Sequence, residues 1–272
     1  MVRSAQALAF YLATSGSSRH PLIGFRIGRR TISSTTHLHM VSDIAANLKE
    51  VRDKILRASD SDVRLVAVSK TKPKELLMEC YQEGQRVFGE NYVQELVEKA
   101  LVMPNDITWH FIGPLQSNKA KLLVSSVIPN AAALVVETVA TLKLAKKLQS
   151  AMEECAANDN QKKLDIFVQV NTSGEDSKSG LAPSEVVDLC KKITEECPLL
   201  NLKGLMTIGA PGDLECFDVL RACRDETASE LGLSSLELSM GMSDDFQQAI
   251  AHGATNVRVG STIFGARDYS NK

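Results

Sequence analysis

Eight short apolar runs recur along the chain at intervals of roughly 20 to 40 residues, each followed by a segment of helical periodicity. They fall at residues 65–68, 86–91, 108–113, 132–139, 164–170, 202–208, 236–241 and 256–265. Their length and their content of Val, Ile, Leu and Phe read as buried strands. Near-regular β/α alternation admits few architectures, because parallel strands need crossover connections and both faces of a parallel sheet must be covered. Over about 230 residues it predicts an α/β fold of one domain, a single (β/α)8 TIM barrel. A doubly wound open sheet is the alternative, but no Gly-x-Gly-x-x-Gly fingerprint follows any run, which weakens a dinucleotide site.

The intervening segments carry their own punctuation. Ile44, Leu48, Val51, Ile55 and Leu56 repeat at helical spacing, with Ser42 or Asp43 as the cap. Pro73 opens the next helix and Gly84 closes it, and Asn91 is placed to cap a helix over 92–101. A net charge of −2 argues against coating a polyanion, so no nucleic-acid partner is expected. No apolar run approaches the roughly 20 residues that span a bilayer, so no membrane partner is expected either. The six cysteines form no CxxC pair and no metal-like cluster with histidine, which fits free thiols in a reducing compartment, without a disulfide framework or structural zinc.

Residues 1–40 differ from the rest. They hold Arg3, Arg19, Arg26, Arg29 and Arg30 and many Ser and Thr, and no acidic residue precedes Asp43. That profile reads as a disordered organelle transit peptide rather than a secretory signal, which needs a longer apolar centre. Arg30-Thr-Ile-Ser-Ser34 resembles a mitochondrial processing pattern. Mitochondrial targeting is the expectation, with a plastid as competitor and a cytosolic form starting at Met40 as a further alternative. Residues 41–272 are then the barrel domain.

Chemistry is expected where the strands end, since barrels of this kind place their sites at the carboxyl face. The run 65–68 stops at Ser69-Lys70-Thr71-Lys72-Pro73. A lysine desolvated at such an end moves toward the nucleophilic amine, whereas one that merely opens a loop points into water. In the last run, Asn256, Arg258 and Gly260 share one face by the period of two. If the valines pack outward, Arg258 points into the barrel and needs an anion or a ring of acceptors; an ion pair with Glu237 would also serve. Ser239-Met-Gly-Met-Ser-Asp244 and Gly260-Ser-Thr262 supply glycine, hydroxyls and backbone amides after strands seven and eight, where barrels commonly hold a phosphate. A lysine opposite a phosphate cradle points to a phosphorylated aldehyde held as a Schiff base, and pyridoxal 5′-phosphate (PLP) fits that description. His110 within an aromatic strand reads as a core residue, His252 as a helix-end residue, and Ser-Lys-Ser-Gly180 as a turn.

Longer motifs then give a resemblance. Val-Ser-Lys70-Thr-Lys-Pro, Phe-Gly-Glu-Asn91-Tyr-Val-Gln-Glu, Trp-His110-Phe-Ile-Gly-Pro-Leu-Gln-Ser-Asn-Lys, Leu-Ser-Met-Gly-Met-Ser-Asp-Asp245 and Arg258-Val-Gly-Ser-Thr-Ile-Phe-Gly-Ala-Arg resemble the pyridoxal phosphate homeostasis proteins over roughly residues 42–269. The resemblance implies a barrel of the alanine racemase N-terminal-domain type that binds PLP. It makes Lys70 the Schiff-base lysine, puts Asn91 near the cofactor ring, and puts Ser239, Gly260 and Ser261 at the phosphate, with Ser243 as a lesser candidate. Arg258 would face the pyridine nitrogen, disfavouring ring protonation, or else the phosphate. Val139-Ala140-Thr141 departs from relatives that often carry an acid there, and 128–134 looks rearranged.

The expected role is a non-catalytic carrier in vitamin B6 homeostasis, with PLP-dependent apo-enzymes as recipients and a monomeric or weakly dimeric state. A racemase-like enzyme is the alternative; racemases of this barrel type use an added β-domain and a second base, for which the chain has no room after the eighth run. A class I aldolase using Lys70 fits the barrel but not the motifs.

Overall fold

The computed structural model describes residues 34–155, 163–175, 179–210 and 212–266. The strands are β1 (Arg64–Val68), β2 (Val87–Glu90), β3 (Thr108–Phe111), β4 (Ala133–Val139), β5 (Leu164–Gln169), β6 (Leu200–Met206), β7 (Glu237–Ser239) and β8 (Asn256–Val259). They pair in chain order, all parallel, and β8 returns to β1 to close the barrel, as the alternation predicts. At that seam Arg64 to Ala67 stand opposite Asn256 to Val259. The β7–β8 ladder is far thinner, with the single pair Ser239 opposite Asn256. The helices are α1 (Ser34–Ala58), α2 (Lys74–Gln82), α3 (Val93–Ala100), α4 (Ala120–Val127), α5 (Leu142–Cys155), α6 (Val186–Glu196), α7 (Glu215–Leu231), α8 (Phe246–Ala251) and α9 (Ser261–Phe264).

Alternation along the strands builds two layers. Leu65, Ala67, Phe88, Trp109, Phe111 and Val136 join the buried faces of the helices in the main core. The residues between them face the lumen, where Val135, Phe167 and Met206 form a small separate cluster. Among the described residues no helix is long and apolar enough to cross a membrane, and no group of three His, Cys, Asp or Glu is arranged to hold a metal ion. All six cysteines are free, and burial pushes the Cys80 and Cys190 thiols up to about 12.

Several boundaries differ from the sequence expectation. Helix α1 begins at Ser34, so Ser42 and Asp43 lie inside it instead of capping it. Ile44, Leu48, Val51 and Ile55 are buried, but Leu56 is 74% exposed, because a step of 100° from Ile55 carries it off the packed face. The leader expectation on residues 1–33 lies outside the described residues, while 34–40 belong to α1. The N-cap of α3 is Tyr92, which makes no side-chain cap, and Asn91 caps nothing. Strand β8 stops at Val259: the Ile263 and Phe264 amides turn back onto the Gly260 carbonyl at 2.9 Å, so Ser261–Phe264 form α9 despite their β-forming residues.

Candidate functional site

The loops after β1, β7 and β8 meet at the carboxyl end of the barrel. The Ser69 amide makes the last rung of β1, to the Gly89 carbonyl at 2.9 Å, and Lys72 N–H then closes a turn on the Ser69 carbonyl at 3.1 Å. Lys70 stands in that turn, half-buried. The Lys72 ammonium donates to the carbonyls of Phe264 (2.9 Å) and Ala266 (2.8 Å), which ties the β1 loop to the end of α9. Between these loops lies a cavity of about 240 Å³ walled by Lys70, Lys72, Met242, Ser243, Arg258, Gly260 and Ser261. The Gly260 amide donates to the Ser243 hydroxyl at 3.2 Å, joining the β7 and β8 loops. A Cβ at Gly260 would come within 3.1 Å of the Val68 carbonyl oxygen, so a glycine lets the backbone pass close over β1. The first amides of α9 have no partner inside the helix.

A larger cavity, of about 650 Å³, opens at the opposite end and is lined by the strand starts Arg64, Leu65, Val87 and Glu237. Its arginines are already engaged: Arg52 with the Glu83 carbonyl and Gln85, Arg64 with Glu237, and Arg86 with Asp106. Chemistry in this architecture sits at the carboxyl ends, so the smaller cavity is the candidate.

Below that cavity a polar chain crosses the lumen. Arg258 on β8 is 4% exposed and donates to the Ser239 hydroxyl (2.7 Å) and the Thr207 carbonyl (2.6 Å). Ser239 on β7 donates in turn to Glu137 Oε2 on β4 at 2.5 Å, and Glu137 Oε1 is bonded to His110 Nδ1 on β3. A carboxylate has no proton to give, so Nδ1 of His110 carries it. Burial pushes Glu137 up, but the bond and charge of His110, with Arg258 and Ser239, outweigh it and hold the carboxyl below its ordinary value. Burial lowers the pKa of Arg258, against the charges of Glu137 and Asp245.

Residues 40–268 match the family described as Alanine racemase, N-terminal domain. The pyridoxal phosphate homeostasis protein of Bos taurus is 50% identical over 222 residues, 77% of this chain and 79% of its own length. The chain belongs to the pyridoxal phosphate homeostasis protein family. Its Escherichia coli relative of that name is 40% identical over 251 residues, covering 85% of this chain and 100% of the relative. Among solved structures, PipY of Synechococcus elongatus, determined with PLP bound, superposes with a TM-score of 0.69 at 31% identity, over 82% of this chain and 100% of PipY.

In this homeostasis-family barrel, Lys70, Arg258, Gly260 and Ser261 share the cavity wall, and Ser243 joins them. Ser239 does not: it is wholly buried, and its one hydroxyl proton goes to Glu137. The structure therefore turns Ser243, in the loop after β7, to the cavity and Ser239, at the end of β7, to the lumen. Asn91 lines a neighbouring cavity with Tyr92, Pro114 and Gln116, its Oδ1 buried without a partner among the described residues. Ser177 and Lys178 of the Ser-Lys-Ser-Gly180 turn lie outside the described residues. Arg258 points inward as the strand period predicts, yet its partners are Ser239 and Thr207; Glu237 pairs with Arg64 instead. Sequence reasoning missed Glu137, a charge placed mid-run between Val136 and Val139. A lone carboxylate in a strand buried on both faces was the available signal.

Proposed function

We propose that this protein binds PLP at the carboxyl mouth of its barrel and serves vitamin B6 homeostasis as a non-catalytic carrier that passes the cofactor to apo-enzymes. The observation that carries the reading is one cavity wall bearing a primary amine, Lys70, opposite the hydroxyls and glycine backbone of Ser243, Gly260 and Ser261. The donor set fits the group: hydroxyls and amides suit a phosphate, and the close approach of Gly260 to Val68 of β1 holds these donors over the strand end that leads to Lys70. When bound, PLP supplies an aldehyde that a primary amine captures reversibly as a Schiff base. Lys70 is the capturing amine in this reading. Arg258 has only donors to offer, so against a heterocyclic nitrogen it favours the unprotonated form, which makes the ring a weaker electron sink and suits holding over turnover. The 31% identity to PipY, solved with PLP bound, supports the ligand.

Purified full-length protein mixed with PLP is expected to show a visible absorption band that borohydride abolishes by fixing the cofactor covalently. Lys70→Ala should lack both the band and the covalent label. Wild-type protein that takes up no PLP would sink the reading. Incubation with single-enantiomer amino acids in deuterated water separates a carrier from a racemase-like enzyme: catalytic α-deuterium incorporation would overturn the carrier role. Faster delivery to an apo-enzyme than free PLP achieves by diffusion would support it.

A further inference from the structure

The loop that carries Lys70 rests on a buried ionic cluster that takes no part in the cavity wall. Lys99 of α3, 6% exposed, directs its ammonium to three acceptors: the Ser69 carbonyl at 2.8 Å, Glu90 Oε1 at 2.7 Å and Glu95 Oε1 at 2.7 Å. A lysine has three N–H donors and no acceptor, so this set satisfies it. The Ser69 hydroxyl donates to the same oxygen of Glu90 at 2.6 Å. The same oxygen of Glu95 accepts the Thr71 amide at 2.6 Å. Both chain neighbours of Lys70 are thereby tied to one cluster built from β2 and α3.

Thr71 is the single non-glycine residue among those described with a positive φ, 63°. A β-branched residue in the left-handed region is strained and persists only where its surroundings over-determine it. The Glu95 carboxylate holds the Thr71 amide in that turn. Were Thr71 to relax to a negative φ, the peptide joining it to Lys70 would rotate and re-aim the lysine. A buried ion cluster is also an expensive way to stabilise a fold, since apolar side chains of similar volume usually do as well. Its position beneath this loop points to geometry as its purpose.

We propose that Lys99, Glu90 and Glu95 form a positioning clamp that fixes the backbone on both sides of Lys70 and so sets how tightly Lys70 captures an aldehyde. The capture half rests on the PLP reading above; the hold on the loop does not. Three variants test it: Glu95→Ala, which removes the acceptor of the Thr71 amide; Glu95→Gln, which keeps an acceptor without the charge; and Glu95→Ala combined with Thr71→Gly, which removes the cost of the left-handed turn. The first readout is the exchange rate of the Thr71 amide by NMR in the absence of PLP. It should rise in Glu95→Ala and stay slow in Glu95→Gln. The second is the Kd for PLP, read from the absorption band and the borohydride-trapped fraction. Glu95→Ala should bind about tenfold more weakly and Glu95→Gln within about twofold of wild type, and the double variant should recover most of the loss. A purely structural cluster would lower the melting temperature of Glu95→Ala and leave the Kd of the folded protein unchanged, which would overturn the proposal. Equal weakening in Glu95→Ala and Glu95→Gln would overturn it too, by tracing the effect to charge instead of the Thr71 bond. If wild-type protein captured no PLP while the Thr71 amide responded as stated, the failure would belong to the PLP reading and would end the claim about Lys70, leaving the hold on the loop established.

Discussion

Glu90 ends β2 with no exposed surface, and burial pushes its carboxyl up to about 7 from the ordinary 4.5, against the pull of Lys99. The groups facing it are the Lys99 ammonium and the Glu95 carboxylate from α3 and the hydroxyl of Ser69, the residue after β1. Two carboxylates against one ammonium leave an excess negative charge, which a proton on Glu90 relieves; its Oε2 has no hydrogen-bond partner in the described structure that such a proton would displace. Stability rises with pH where the unfolded chain binds more protons, and here the folded chain binds more between about 4.5 and about 7. The contribution of this site is therefore full below 4.5 and is lost as pH rises through about 7. Glu90→Gln mimics the neutral acid at every pH. Urea titrations across this range should show wild type losing stability relative to Glu90→Gln, by on the order of 3 kcal/mol in all. Parallel curves for the two proteins would refute the assignment.

At the scale of elements, β7 and β8 share one ladder pair where β1–β8 has four residues in register, and the Thr255, Met240 and Arg258 amides extend the seam onto the Leu238, Asn256 and Gly241 carbonyls at 3.0, 3.1 and 3.0 Å. Side chains add to that seam. Ser239 donates to Glu137 and accepts from Arg258, linking β7 to β4 and β8 across the lumen. Ser239→Ala strands a buried carboxylate oxygen and a buried guanidinium N–H, so its unfolding free energy should fall by about 1–3 kcal/mol, read from the urea midpoint. A loss within error of zero would mean that water or a shifted side chain replaces the hydroxyl. Much of this barrel is legible in the chain: strand runs and helical stripes fall where periodicity puts them, and the inward Arg258 follows from the valines beside it. Glu137 and the division of labour between Ser239 and Ser243 are not, because strands buried on both faces lose the polar–apolar alternation that reveals direction. The β8 boundary fails for a related reason: Ser261 to Phe264 have strand propensity, and only the tertiary turn at Gly260 makes them helical. Asn91 has the side chain of a cap, but the backbone starts α3 one residue later.

At the scale of the whole molecule, the charge pattern of the leader bears on where the barrel works. Residues 1–40 carry Arg3, Arg19, Arg26, Arg29 and Arg30 without one acid. An inside-negative inner membrane draws such a segment inward with ~2.3 kcal/mol per charge per 100 mV, so five arginines make a strong electrophoretic handle. The processing-like stretch Arg30-Thr-Ile-Ser-Ser34 ends where α1 begins, so a cut within it would leave that helix whole. We therefore propose import into mitochondria with removal of the leader just ahead of α1. Residues 1–40 fused to a fluorescent protein should localise to mitochondria, and replacing Arg19, Arg26, Arg29 and Arg30 by Gln should return the fusion to the cytosol. Mass spectrometry of the mature protein should find an N-terminus between Thr31 and Ser34. Accumulation of the native fusion in plastids, or a mature chain that starts at Met1 or Met40 in every compartment, would refute the proposal and leave the charge asymmetry without that role.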